Sequence, residues 1–156
     1  MVCAWPRDAA ECAAAERQLA GRAAPLLRVR EVVHWDELGE PDAETVALIY
    51  FVRRRPGLRY ADFETHYRER HAPLAREQHP GVARYVQNFL AEPSNAVRDF
   101  DAVSELWFRS ERDVRERFYR DAESERIVAE DVARFLDVRA GARVLSRPGA
   151  PPSPRS

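Results

Sequence analysis

The sequence predicts an α+β domain in which an antiparallel sheet of four strands carries its helices on one face. Three observations carry this. The chain has 156 residues, 45% of them apolar, enough for one enclosed core. Val46–Val52, V-A-L-I-Y-F-V, is an unbroken apolar run too short for a buried helix and rich in β-branched and aromatic residues, the pattern of a strand buried on both faces. From that strand to residue 146 the elements follow the order β-α-β-β-α-β, the split βαβ or ferredoxin-like arrangement. The sheet's second face then needs a cover, which predicts a homodimer packed sheet on sheet into an α/β barrel.

Each element has a local reason. Arg53 to Gly57, R-R-R-P-G, is a charged turn after the first strand. A helix starts near Tyr60, where Asp62 and Glu64 complement its dipole. Gly81 opens a strand over Val82–Leu90, and Pro93, Ser94 and Asn95 form a loop. Asp101–Phe108 is the third strand, Glu111–Arg120 and Glu123–Leu136 are helical stretches, and Ala142–Ser146 is a short closing strand. Residues 1–45 form an extension: Ala, Glu, Arg and Gln favour a helix over Asp8–Arg22, and the Val-rich run Leu26–Trp35 a strand. That unit is either an added strand or half of a degenerate second repeat. Arg147–Ser156 is rich in Pro, Gly and Ser and is expected to be disordered.

Composition excludes several functions. Every cation among the 25 basic residues is Arg, so Schiff-base chemistry on an internal lysine, imine-bound pyridoxal phosphate and a P-loop lysine are all ruled out. A net charge of -1 gives no nucleic-acid footprint. No apolar run reaches the roughly 18 residues of a membrane span, and Arg7 and Asp8 interrupt any signal-like core. Cys3 and Cys12 have no clustered histidines. A cytoplasmic protein with no metal and no cofactor is expected.

The chemistry concentrates in Tyr60–Ala75, Y-A-D-F-E-T-H-Y-R-E-R-H-A-P-L-A. At about 100° per residue, Phe63, Leu74, Tyr67, Tyr60 and His71 fall within about 80° of one another and face the sheet. His66 falls on the opposite border of that face, about 140° from His71, so a regular helix keeps the two from gripping one metal. Pro73 lacks the N–H that would bond the Glu69 carbonyl; it either kinks the helix beside His71 or ends it and starts a short second turn. His71, facing apolar surroundings, is the candidate acid-base residue, with Tyr67 one turn below it. Glu105 shares a strand face with Val103 and Trp107. If that face meets the helices, Glu105 orients His71 or is itself the base; if not, it pairs with an arginine across the dimer. The Arg53–Arg55 cluster reads as a solvated turn.

The turn R-R-P-G, the run F-E-T-H-Y-R-E-R-H-A-P-L-A, then R-Y-V-Q-N, S-E-L-W-F and E-D-V-A-R-F-L-D occur in an order and spacing that resemble the EthD family of dimeric α/β-barrel proteins. The resemblance spans about residues 46 to 145. It implies a homodimer with a pocket between helices and sheet, holding a hydrophobic or aromatic small molecule. Relatives include an accessory protein of ether degradation and enzymes that cyclise, dehydrate or decarboxylate aromatic polyketide intermediates; wider superfamily members include cofactor-free monooxygenases and haem proteins. By position, the resemblance carries over the H-A-P histidine as His71, the E-L-W-F glutamate as Glu105 and the acid of the late helix as Asp131. The expected site is thus His71, Tyr67 and Glu105 for catalysis, with Tyr60, Phe63, His66, Trp107 and Asp131 lining the substrate. A binding protein without chemistry is the alternative, and a haem ligated by His71 or His66 a distant third.

Overall fold

A computed structural model of the chain describes residues 29–90 and 100–147; the expected helix over 8–22 and the tail beyond 147 lie outside them. Strands β1 (Val29–Asp36), β2 (Val46–Val52), β3 (Arg84–Leu90), β4 (Ala102–Phe108) and β5 (Ala142–Ser146) form one sheet in the order β1-β3-β4-β2-β5. All neighbours are antiparallel. The last four strands reproduce the expected ferredoxin-like order, and β1, from the N-terminal extension, pairs along β3. Of the two alternatives for the extension, its strand is the added one, hydrogen-bonded at the edge of the same sheet.

Period two sorts the strand residues into two faces. Val46, Leu48, Tyr85, Phe89, Ala102, Leu106 and Phe108 pack under the helices, while Ala47, Ile49 and Val103 form a separate cluster with Phe51, Phe100 and Trp107 on the far face. A bulge between Val33 and Trp35 shifts the β1 register by one residue, and it brings both His34 and Trp35 against Tyr85.

The turn after β2 closes through a bond from Leu58 N–H to Arg55 C=O, with Pro56 next and Gly57 at φ 82°, a backbone conformation that only glycine adopts cheaply. Arg54 is no anion site: its guanidinium and its N–H both bond the Asp101 carboxylate, each at 2.8 Å, fixing the turn to the entry of β4. Gly81 is needed for another reason. A Cβ there would lie 2.7 Å from the Arg117 carbonyl, where the chain entering β3 passes helix α3 (Glu111–Arg117).

The helical segment after the turn differs from both expectations for Pro73. It runs without interruption from α1 (Tyr60–His66) through a π-helical turn (Tyr67–His71) into α2 (Ala72–Gln78), with Tyr67, His71 and Ala72 all in right-handed helical conformation. The Ala72 N–H reaches back to the Tyr67 carbonyl, a five-residue step. The wider turn accommodates a proline whose ring would crowd the preceding carbonyls and whose missing N–H leaves one of them short of a partner. Helix α4 (Ala122–Phe135) begins at Asp121, whose carboxylate accepts from the Ser124 N–H at 2.7 Å. Its buried positions Ser124, Val128, Asp131 and Phe135 make one stripe against the first helical segment.

Candidate functional site

The π turn decides the site's geometry. Five residues make about one turn there, so His66 and His71 come to one face and the divergence expected of a regular helix does not occur. Both rings meet Asp131 on α4: His66 Nε2 lies 2.8 Å from Oδ1 and His71 Nδ1 lies 2.9 Å from Oδ2. Asp131 is 7% exposed and His71 8%. An ionised carboxylate only accepts, so each imidazole donates to it. In its neutral form His71 therefore carries the proton on Nδ1 and has a free lone pair on Nε2, while His66 has the reverse arrangement. Burial alone would raise the Asp131 carboxyl pKa, but the hydrogen bonds from His71 and His66 and their charges hold it below the usual carboxylate value.

Phe135, one turn beyond Asp131, packs on the same unit: its ring centroid lies 4.7 Å from His66, 5.2 Å from His71 and 4.9 Å from Tyr67. Tyr67 shares a short hydrogen bond with Ser104 on β4, and burial raises its phenol pKa. Gln87 of β3 donates to the Tyr67 carbonyl at 3.1 Å and to the Tyr85 hydroxyl at 2.8 Å, while its own oxygen accepts from His34 Nε2 at 2.8 Å. This buried polar chain ties β1, β3 and β4 to the π turn.

The expected site residues therefore divide. His71, His66, Asp131 and Tyr67 come together. Phe63 is fully buried among Tyr60, Tyr67, Phe89 and Phe135 as part of the wall behind them. Tyr60 donates its hydroxyl to the Leu90 carbonyl at 2.8 Å, and burial pushes its pKa up to about 12. Glu105 and Trp107 do not join: strand alternation turns them to the far face, where Glu105 accepts from Asn88 Nδ2 and Trp107 Nε1, each at 3.0 Å. The role of orienting His71, considered for Glu105, falls to Asp131. Ser104, Gln87, His34 and Phe135 escaped sequence reasoning, although Ser104 and Gln87, polar residues inside apolar strands, were a readable signal.

Two cavities border this core. One, of about 380 Å³, is lined by His66, Arg70, Leu74, Ile127, Glu130, Asp131 and Arg134. The other, of about 450 Å³, lies between α3 and the strands β2 and β5, lined by Leu48, Val114, Phe118, Arg143 and Leu145. His71 lines neither. Among the described residues no group of three or more His, Cys, Asp or Glu side chains is arranged to hold a metal, and no helix is long and apolar enough to cross a membrane.

Residues 55–139, more than half of the chain, match the EthD domain model. The chain belongs to the EthD family. Its fold is similar to that of an EthD-family protein from Bacillus halodurans, 20% identical, with a TM-score of 0.53 over 67% of this chain and 99% of that one. A dimeric protein of unknown function and ferredoxin-like fold from Bacteroides fragilis is 11% identical, with a TM-score of 0.45 over 66% and 95% of the two chains. No curated protein matches. The EthD match contains all of α1, the π turn, α2, β3, β4, α3 and α4, and hence both histidines and Asp131; β1, β2 and β5 lie outside it.

Proposed function

We propose that this EthD protein is a cofactor-independent enzyme that moves protons on an aromatic, polyketide-like small molecule, in a cyclisation, dehydration or decarboxylation. The observation that carries the reading is one buried carboxylate holding two imidazoles, His66 and His71. Such a carboxylate fixes the tautomer, aims the opposite ring nitrogen and stabilises the imidazolium formed when that nitrogen takes a proton. His71 Nε2 has no hydrogen-bond partner among the described residues and is the atom assigned to proton transfer, with Tyr67 and Asp131 supporting it. Tyr67 and Phe135 pack on the His71 ring and hold it in place, and Leu74 and Ile127 of the adjoining cleft support an apolar substrate.

The test is conversion of a panel of phenolic and poly-β-ketone compounds, followed by mass spectrometry, with wild type and His71→Ala. An accepted compound whose turnover falls at least a hundredfold in the variant, with binding retained, supports the reading; unchanged turnover refutes it. A second reading, a binding protein without chemistry, is favoured by the cavity of about 450 Å³, which no histidine lines. It predicts ligand-induced rises in melting temperature with no product from any compound. In both readings two copies join through the sheet's far face, which the apolar group of Ile49, Phe51, Val103, Phe100 and Trp107 supports; light scattering at micromolar concentration tests this. The sparse cysteine content supports a cytoplasmic setting.

A further inference from the structure

The cleft of about 380 Å³ between the π turn and α4 is lined by two acids and two arginines, and their commitments differ. Asp131 has both oxygens occupied by the histidines. Glu130 is ion-paired with Arg126 on its own helix. Arg70 and Arg134, from opposite walls of the cleft, have no carboxylate partner among the described residues. Most arginines of the described residues do have one, as Arg30, Arg54, Arg117 and Arg126 illustrate. Arg53, Arg55, Arg109, Arg139 and Arg143 have none either, but none of them lines this cleft; Arg109 donates to the Glu37 carbonyl, and Arg143, at the second cavity, lies over the Tyr50 ring.

We infer that this cleft binds the carboxylate of an aromatic acid between Arg70 and Arg134, with the ring lying on Leu74 and Ile127 and its edge toward His66. The two guanidiniums offer planar forks of donors suited to a carboxylate. Leu74 and Ile127 supply the apolar surface, and a volume of this size lies in the usual range for small-molecule sites of roughly 300–1,000 Å³. The acids' oxygens are already engaged within the protein, which leaves the two arginines as the cleft's uncommitted donors. The binding claim stands on the cleft alone; its meaning as substrate recognition rests on the acid-base reading above, since His66 is the cleft residue linked through Asp131 to His71.

The experiment compares binding of 1-naphthoate, 1-naphthol and 1-naphthyl phosphate to the full-length protein by calorimetry and by amide shifts. Naphthoate is expected to bind at least tenfold more tightly than naphthol and more tightly than the phosphate ester, with shifts centred on residues 66–74 and 127–134. The double variant Arg70→Gln/Arg134→Gln should abolish that preference and keep the wild-type melting temperature within a few degrees, since both side chains are exposed. His71→Ala should retain it, so failure of the acid-base reading would leave this site intact. Equal binding of acid and alcohol, a preference that survives in the double variant, tighter binding of the phosphate ester, or shifts centred elsewhere would each overturn the inference.

Discussion

Asp131 and Glu105 are buried to the same degree, 7% and 8% exposed, yet they sit on opposite sides of the sheet in different company. Asp131 faces two imidazoles. Glu105 faces an amide and an indole, donors that do not titrate in the physiological range. Both carboxylates are satisfied as burial requires, but only the first is hydrogen-bonded to imidazoles, whose second ring nitrogen can accept or donate a proton. A buried acid is thus a candidate for chemistry through its partners, and the far-face glutamate is an anchor for β3 and β4.

The largest expected effect separates the two acids directly. Asp131→Asn should reduce turnover by about 10²–10⁴-fold, the usual range for a positioned acid-base group, because an amide N–H pointed at an imidazole donor forces one ring out of its tautomer. Glu105→Gln should leave turnover within about threefold and instead lower stability by about 1–3 kcal/mol, the cost of a buried donor facing another donor. Steady-state kinetics and urea unfolding on both variants check the pair, and an exchange of the two phenotypes would break the comparison.

A third buried group sharpens it. His79 donates Nδ1–H to the Phe118 carbonyl rather than to a carboxylate, and burial lowers its pKa to about 4. It stays neutral in the fold where the unfolded chain's histidine, near 6.5, protonates. The stability it supports is complete above pH 6.5 and is lost as pH falls toward 4, by about 3 kcal/mol in all. Melting curves should show that loss, and His79→Asn should remove most of its slope between those pH values. Asp131, whose pKa is also depressed, contributes stability above the ordinary carboxylate pKa that is lost only in more acid solution, so its variant should flatten a lower window.

The smallest effect concerns the polar chain beneath the π turn. Tyr67→Phe removes the hydroxyl shared with Ser104 and should cost about 1–2 kcal/mol, with turnover reduced far less than in Asp131→Asn.

Much of this was legible in the residues. Val46–Val52, Ala142–Ser146 and the start of the first helix at Tyr60 fall where apolar runs and acidic first-turn residues put them. The added strand was half legible: the Val-rich run predicts it, but its place beside β3 depends on which sheet edge is open, and that is a tertiary fact. The main miss was the relation of His66 to His71. A periodicity of 3.6 assumes a regular helix, and Pro73 signalled a disturbance without stating that it would take the form of a widened turn. Glu105 was undecidable for a similar reason: alternation groups it with Val103 and Trp107 without revealing which side of the sheet carries the helices. Asp131 was reached through the family likeness, because a lone acid on an amphipathic helix has no local mark of its partner.

Nitrogen-15 NMR of the imidazole rings at pH 8 tests the account's centre most directly. With Asp131 accepting from both rings, neutral His71 should show a protonated Nδ1 and an unprotonated Nε2, and neutral His66 the opposite, with one of the two patterns lost in Asp131→Asn, whose amide oxygen can accept from only one ring. Rings that show the reverse tautomers, or that both keep their pattern without the carboxylate, would contradict it.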